Sequence, residues 1–218
     1  MPSAPFHEEV GRRFSAAGKW VEVYARARLP TRFGKFDLYV IRTNVDDKEH
    51  LALVRGTLRG KKNLPVRVHS ECFTGDVLTS LRCDCREQLE LALAMLAKRR
   101  NSLLIYLRQE GRGIGLGNKI RAYTLQEQGL DTIEANLNLG FASDLRDYRV
   151  AALILRMFGV SSVHLLTNNP RKIEGLTENK IEVSGRLPLV TVANPHNMSY
   201  LQVKASKAGH LLPAKKRA

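Results

Sequence analysis

RVHSECFTGDVLTSLRCDCREQ, residues 67–88, contains all three cysteines of the chain, Cys72, Cys83 and Cys85. Three cysteines placed at random in 218 residues would fall within 14 positions in roughly 1 % of cases, so the cluster needs an explanation. Three thiols leave one over from any disulfide pairing. Three is, however, the number of protein ligands at a catalytic zinc that keeps its fourth position open. The segment therefore predicts a metal site.

The spacing C-x10-C-x-C leaves two kinds of zinc site open. In a structural site, His69 would join the three cysteines as the fourth ligand. In a catalytic site, the fourth position would hold water. Cys83 and Cys85 are closer together than the cysteine pairs usual in structural sites, so the spacing favours catalysis. Zinc held by thiolates already adds water to nucleobases in the deaminases.

The same segment divides the chain into two halves of different character. On its N-terminal side, apolar and polar residues alternate from Val21 to Leu29, which is typical of a strand with one buried face. Further short strands are predicted at residues 36–42, 50–58 and 64–70. Short strands separated by turns at this spacing favour an antiparallel sheet or a small barrel.

On the C-terminal side, helical and strand patterns alternate. The predicted elements are helix 86–100, strand 103–107, a helix ending before residue 129, a helix from residue 143 or 144 to 158, strand 163–167, helix 171–179, a strand near 181 and helix 199–207. We therefore expect a mixed α/β fold, in which N-terminal antiparallel strands or a small barrel precede alternating β and α segments around a mixed sheet.

The chain shows no internal repeat and no low-complexity linker, so we expect one catalytic domain over residues 21–212. Residues 1–20 are polar and mixed, and we expect a loosely ordered extension there. Residues 213–218 form a basic tail.

The charge balance predicts a polyanionic partner. Lysine and arginine number 35 against 21 acidic residues, which gives a net charge of +14. A membrane is disfavoured because no run of about 18 apolar residues occurs. Nucleic acid is disfavoured because aromatic residues make up 6 % and no stacking motif or zinc-finger spacing is present. The N-terminal sequence lacks an apolar signal core, so we expect a cytoplasmic protein with reduced thiols.

A glycine-rich loop, RQEGRGIGLG at residues 108–117, joins a predicted strand to a predicted helix. Its glycines allow close backbone approach, and the helix N-terminus behind it favours an anion. The donors of a triphosphate site are concentrated here, on Arg108, Arg112, Lys119 and Arg121. The loop is neither a P-loop nor a dinucleotide fingerprint, so a flexible surface loop is the alternative.

Two further segments carry polar residues with an ordinary alternative reading. Asp144-Leu-Arg-Asp147 opens a predicted helix, where acidic residues also serve as stabilising caps. Thr167-Asn-Asn-Pro-Arg-Lys172 follows a predicted strand, which is a common place for a ligand loop, but an Asn-Pro turn would look the same.

Taken together, these segments resemble the GTP cyclohydrolase II family, which performs the first step of riboflavin biosynthesis. The resemblance runs from about residue 25 to residue 212. It rests on RVHSECFTGDVLTSLRCDC, RQEGRGIGLGNKIRAYTLQEQGLDTIEAN, LGFASDLRDY and LLTNNPRKI. The chain is shorter than the proteins in which this enzyme is fused to a dihydroxybutanone-phosphate synthase domain, so a monofunctional protein is expected.

The resemblance implies a role for most of these residues. It implies one Zn²⁺ per subunit on Cys72, Cys83 and Cys85, which places His69 beside the substrate instead. GTP would be bound by Arg67, Val68, His69, Ser70, Glu71, Gln88, Glu110, Gly111, Arg112, Thr132, Thr167 and Lys172. The catalytic residues would be Asp144 as proton acceptor, Arg146 as nucleophile towards the α-phosphate, and Tyr123 as an aid to the ring chemistry.

The implied reaction opens the imidazole ring of guanine at C8 and releases formate and pyrophosphate. Mg²⁺ would accompany the triphosphate, and the enzyme would be a homodimer. The alternatives are a family member that stops at the formylated ring-opened intermediate, and a basic zinc-stabilised nucleic-acid module. A guanidinium with a pKa above about 12 is a poor nucleophile, so Arg146 as a phosphate clamp is the physical alternative to Arg146 as nucleophile.

Overall fold

The computed structural model describes residues 9–142, 144–192 and 194–198, without the side chains of residues 132 and 133. Its strands are β1 Arg13–Ala16, β2 Lys19–Thr31, β3 Gly34–Thr43, β4 His50–Arg55, β5 Leu64–Ser70, β6 Ser102–Leu107, β7 Ser162–Leu166 and β8 Glu182–Leu187. Its α-helices are α1 Phe73–Asp76, α2 Cys85–Ala97, α3 Leu116–Glu127, α4 Thr132–Asn138, α5 Arg149–Met157 and α6 Pro170–Glu178.

The strands form a single mixed sheet in the order β1-β2-β3-β4-β6-β5-β7-β8. Neighbours from β1 to β4, and the pair β4 and β6, are antiparallel. The strands β6, β5, β7 and β8 run parallel to one another. Parallel neighbours need crossover connections, which α2, α5 and α6 provide along the chain. The mixed α/β prediction is confirmed, with antiparallel strands in place of a barrel.

The two faces of the sheet carry separate hydrophobic cores. Successive side chains of a strand point to opposite faces. Leu103 and Ile105 of β6 belong to the cluster that contains the buried side of α5, whereas Leu104 belongs to the cluster that contains Leu96 of α2. Arg67 of β5 is the register partner of Leu104, so its side chain lies on the α2 face.

Part of the predicted N-terminal extension is regular structure. Arg13–Ala16 pairs with β2 as an edge strand, and Lys19 opens β2, which corrects the expectation of a loosely ordered segment for residues 13–20. Residues 1–8, the predicted helix 199–207 and the basic tail lie outside the described residues.

The predicted helix start at Asp144 is wrong. Helix α5 begins at Arg149, and residues 144–148 form a non-helical segment in front of it. The cause is tertiary: the backbone N–H of Leu145 donates to the carbonyl of Arg112 at 2.9 Å, which ties the segment to the glycine-rich loop. Ser143, the other predicted start, is outside the described residues. In the described part of the chain, no helix has the length and apolar character needed to cross a bilayer.

Candidate active site

The candidate site lies where three parallel strands end. Ser70 closes β5, Leu107 closes β6 and Leu166 closes β7, and each strand is followed by one of the segments singled out above. Ligands commonly bind at the carboxyl ends of such strands. A cavity of about 410 Å³ opens there, lined by Ser70, Glu71, Cys72, Arg82, Cys83, Cys85, Glu110, Gly111, Arg112, Ile114, Lys119, Ala122, Tyr123, Gln126, Glu127, Asn136, Arg146 and His196.

The three cysteines converge in the wall of this cavity. All are free thiols, and their Sγ atoms lie within 4.8 Å of one another. The Sγ atoms of Cys72 and Cys83 are 3.7 Å apart. Tetrahedral zinc with Zn–S bonds of about 2.3 Å separates its sulfur ligands by about 3.8 Å, so the cluster fits that ion. His69 is turned to another partner: its Nε2 lies 3.1 Å from the Oδ2 of Asp76.

The cysteine thiols differ in the direction of their pKa shifts. Hydrogen bonds from Cys83 and Cys85 lower the pKa of Cys72, and the nearby Lys119 adds to the effect. The pKa of Cys85 is raised, first because its thiol donates to Cys72 and Cys83 and then because it is buried. These hydrogen bonds favour the thiolate form of Cys72, and a cation bound between the sulfurs would take the place of the thiol protons.

Gly75 in α1 is what allows the sulfurs to come together. A Cβ at this position would lie 2.9 Å from the Sγ of Cys83 and 3.2 Å from the Sγ of Cys72. The first of these distances is shorter than van der Waals contact allows, so only glycine fits.

We therefore expect Gly75→Ala to push Cys83 away and to lower zinc affinity by at least about tenfold, as disturbed support of metal ligands does. Chelator competition measures the change. Gly117→Ala in α3 is the matched control, since its Cβ would meet no atom of the described residues within 4 Å. Equal zinc affinity for the two variants would contradict the packing argument.

Asp76 anchors the backbone of Cys72. Its side chain is buried, and Oδ2 accepts hydrogen bonds from the backbone N–H of Cys72 at 3.0 Å and from the hydroxyl of Tyr106 at 2.8 Å. Burial lowers the pKa of His69, so the imidazole is neutral and its Nε2–H donates to Asp76. His69 also stacks on Tyr106, with ring centroids 5.4 Å apart. In this structure His69 is thus held between Asp76 and Tyr106.

Arg67 supports the other two cysteines. Its guanidinium donates to the carbonyl of Leu166 at 2.9 Å and to Oε1 of Gln88 at 2.8 Å, and Gln88 in turn donates to Asp84 at 2.6 Å. Asp84 stands between Cys83 and Cys85 in the chain, so these contacts anchor the residue that joins the two cysteines. Burial lowers the pKa of Arg67 to about 10, which leaves it protonated at neutral pH.

The glycine-rich loop is held in a tight turn. Gly111 and Arg112 have φ values of 62° and 60°, in the left-handed region that costs a residue other than glycine roughly 1 kcal/mol. A Cβ at Gly113 would lie 3.0 Å from the Cβ of Leu145. The loop is therefore packed against residues 144–147, in contrast to the flexible surface loop considered above.

Asp144 and Arg146 form a two-point ion pair at the edge of the cavity. The Nε of Arg146 donates to Oδ1 of Asp144 at 2.8 Å, and its terminal nitrogen donates to Oδ2. Burial alone would raise the pKa of Asp144, but the hydrogen bonds and charge of Arg146 outweigh it and lower the pKa. Asp144 is thus ionised and is a weak base while it is paired with Arg146.

Tyr123 lies on the α3 side of the cavity. Burial raises the pKa of its phenol, so the group is protonated at neutral pH and can donate a hydrogen bond. The guanidinium of Arg82 lies 4.7 Å from the ring centroid, and the Lys119 ammonium lies 5.7 Å from it.

Most of the predicted site residues fall into two groups. Those that line the cavity are Ser70, Glu71, Cys72, Cys83, Cys85, Glu110, Gly111, Arg112, Tyr123 and Arg146. Those buried behind it are Arg67, Val68, His69, Thr167 and Lys172, the last of which donates to the carbonyl of Val68 at 2.7 Å. Gln88 contacts Arg67 of the buried group, Asp144 contacts Arg146 of the lining group, and the side chain of Thr132 is outside the described residues. Their roles towards GTP stay predictions.

Several lining residues were not predicted. Gln126 and Glu127 are seven and eight positions after Lys119 in α3, and Tyr123 is four after it, so all four share one helix face. The helical period, applied to Tyr123, would have found them. Arg82 stands next to Cys83 in the chain. His196 reaches the cavity from the segment after β8, and we find no sequence signal for it.

Comparisons with known proteins agree with the geometry. A family model described as GTP cyclohydrolase II matches residues 22–188. A GTP cyclohydrolase-2 of Picrophilus torridus is 49% identical over 191 residues, which are 88% of this chain and 99% of that protein. A GTP cyclohydrolase-2 of Hahella chejuensis is 52% identical over 192 residues, 88% of this chain and 93% of that protein.

A longer relative also matches. The riboflavin biosynthesis protein RibBA of Bacillus mycoides is 55% identical over 184 residues, which are 84% of this chain and 46% of that protein. The chain thus spans about half the length of this relative.

Proposed function

Since the chain belongs to the GTP cyclohydrolase II family of riboflavin biosynthesis, we propose that it hydrolyses GTP with release of formate and pyrophosphate. The product would be a ring-opened diamino-ribosylamino-pyrimidinone phosphate. The observation that carries the proposal is the cluster of three cysteines in the wall of a cavity that also presents Arg112 and Arg146. A metal and a set of cations in one cavity match a substrate with a base at one end and phosphates at the other.

Cys72, Cys83 and Cys85 would hold the zinc. Their sulfur spacing and free thiols support this assignment. When bound, zinc supplies a Lewis acid and a hydroxide nucleophile at neutral pH, which a poor electrophile such as C8 of guanine requires. Asp76 accepts from the backbone N–H of Cys72 and Asp84 accepts from Gln88, and these contacts would hold the cysteine segment in place while the substrate binds.

The cavity wall offers groups for both ends of the substrate. Glu71 lines the cavity near the cysteines, and its carboxylate would accept the N–H groups of guanine. The protonated phenol of Tyr123 would donate a proton or hydrogen bond to the opening ring.

Arg112 and Arg146 would bind the phosphates, together with Mg²⁺. We assign Arg146 as a phosphate clamp that Asp144 orients. A guanidinium held in a two-point ion pair keeps its proton and its charge, and neither helps nucleophilic attack.

We further propose that the enzyme is a cytoplasmic homodimer. Three free thiols at one site are typical of a protein in a reducing compartment. Val77, Leu78 and Leu81, in the loop between Cys72 and Cys83, are exposed apolar side chains of the kind that subunit contacts cover.

The proposal is tested by incubating the protein with GTP, Zn²⁺ and Mg²⁺ and measuring both small products. We expect formate and pyrophosphate in equal amounts. Pyrophosphate without formate would contradict the complete reaction and identify a family member that stops at the formylated intermediate. Neither product, from a folded and zinc-loaded protein, would overturn the proposed activity.

A further inference from the structure

Lys119 is a charged residue of the cavity wall to which the family resemblance assigns no role. It lies in the first turn of α3. Its Nζ is 3.1 Å from the Sγ of Cys72, 2.9 Å from the Oγ1 of Thr74 and 2.9 Å from the Oε1 of Glu110. An ammonium has three N–H donors and no acceptor, so these three contacts use every donor. Nothing is left over for the phosphate that the sequence pattern suggested.

The contact with Cys72 bears on the chemistry of the metal site. Three thiolates outweigh a divalent cation by one negative charge, and this surplus weakens the cation as a Lewis acid. An N–H···S hydrogen bond from an ammonium draws electron density away from the sulfur and lowers its donation to the metal. Hydrogen bonds to metal ligands orient the ligands and tune the metal in this way.

The other two contacts hold the ammonium in position. Thr74 lies in α1, between Cys72 and Cys83, and Glu110 lies in the glycine-rich loop; both residues are buried. The Glu110 carboxylate also accepts hydrogen bonds from the backbone N–H groups of Phe73 and Gly111. Glu110 therefore links α1 to the glycine-rich loop and places the Lys119 ammonium against Cys72.

We propose that Lys119 is a positioning residue of the metal site, which donates a hydrogen bond to the Cys72 thiolate and offsets the surplus negative charge of the three cysteines. The proposal rests on the zinc site proposed above. It removes Lys119 from the set of triphosphate ligands and leaves that task to the arginines of the cavity.

Cobalt substitution tests this inference without reference to turnover. Co²⁺ bound by thiolates has sulfur-to-metal charge-transfer bands whose energy follows the electron density on sulfur. We expect Lys119→Met to move these bands to lower energy, because an unbonded thiolate is a stronger donor. We also expect zinc affinity in chelator competition to fall by about 10- to 100-fold. Lys98→Met, at an exposed position, is the matched control.

A second variant guards against misfolding. Lys119→Gln keeps an N–H donor without the charge, and we expect a smaller band shift in the same direction. Bands at the wild-type position, with zinc affinity within about twofold, would overturn the inference. An unshifted band together with a raised KM for GTP would return Lys119 to the triphosphate. Wild-type protein that bound no cobalt would contradict the proposed zinc site itself, and this inference with it.

Discussion

Cys83→Ser is expected to abolish formate release from GTP while the protein remains folded. The substitution removes one of three converging sulfurs, and a hydroxyl is a poor ligand for zinc at neutral pH. Without the metal, the attacking group is neutral water in place of hydroxide, so the rate of formate release should fall by at least about 10³-fold. Formate is measured directly, and zinc content is measured on the same sample.

The fold should survive because its cores lie elsewhere. The two hydrophobic clusters are built from the strands and from α2, α5 and α6, whereas Cys83 lies in the loop between α1 and α2, beyond the carboxyl end of β5. Circular dichroism and thermal unfolding provide the control. A variant that is unfolded with or without zinc would show that the metal is structural, and retained formate release would remove Cys83 from the chemistry altogether.

The second large effect is expected for Arg146→Lys, which should leave the protein folded and reduce pyrophosphate release by about 10²-fold or more. Lysine keeps the charge but loses the planar fork that makes two hydrogen bonds to Asp144. Hydrogen bonds to charged groups contribute about 1.5–3 kcal/mol each, so the loss of one or two accounts for this factor. Pyrophosphate and formate are followed in the same reaction.

Arg149→Lys is a close control for this change. Arg149 pairs with Asp147 two positions before it, as Arg146 pairs with Asp144, but its side chain is about half exposed. We expect normal turnover for Arg149→Lys. Normal turnover for Arg146→Lys as well would exclude a nucleophilic role and would contradict the clamp. A raised KM for GTP with residual pyrophosphate release supports the clamp over the nucleophile.

The elements of the fold were largely predictable because they follow local periodicity. The alternation from Val21 to Leu29 lies within β2, and the leucine stripe behind Asp84 is α2. The prediction failed where a distant segment decides the backbone. Asp144 looks like a helix cap in the sequence, but its carboxylate is paired with Arg146. The next residue, Leu145, donates a backbone hydrogen bond to Arg112 in the glycine-rich loop.

The sequence predicts which residue types form the candidate metal site, but not which residues hold them in place. The identity and spacing of the cysteines predict a metal site, whereas Gly75 and Asp76 look like ordinary loop residues in the sequence. Only the packed structure shows that one makes room for the sulfurs and the other anchors Cys72. The sequence predicts Lys119 as a phosphate ligand because it places a positive charge near the glycine-rich loop. It cannot show that the ammonium instead contacts the Sγ of Cys72.

The position of β5 between β6 and β7 has a consequence for synthesis of the protein. Arg67, which steadies Cys83 and Cys85 through Gln88, needs the carbonyl of Leu166, 99 residues further along the chain. A nascent chain that has emerged only as far as α2 therefore exposes three thiols before the contact between Arg67 and Leu166 can form. Such thiols are open to oxidation until β7 is in place. Loading of the proposed zinc site is therefore expected to follow the completion of the sheet.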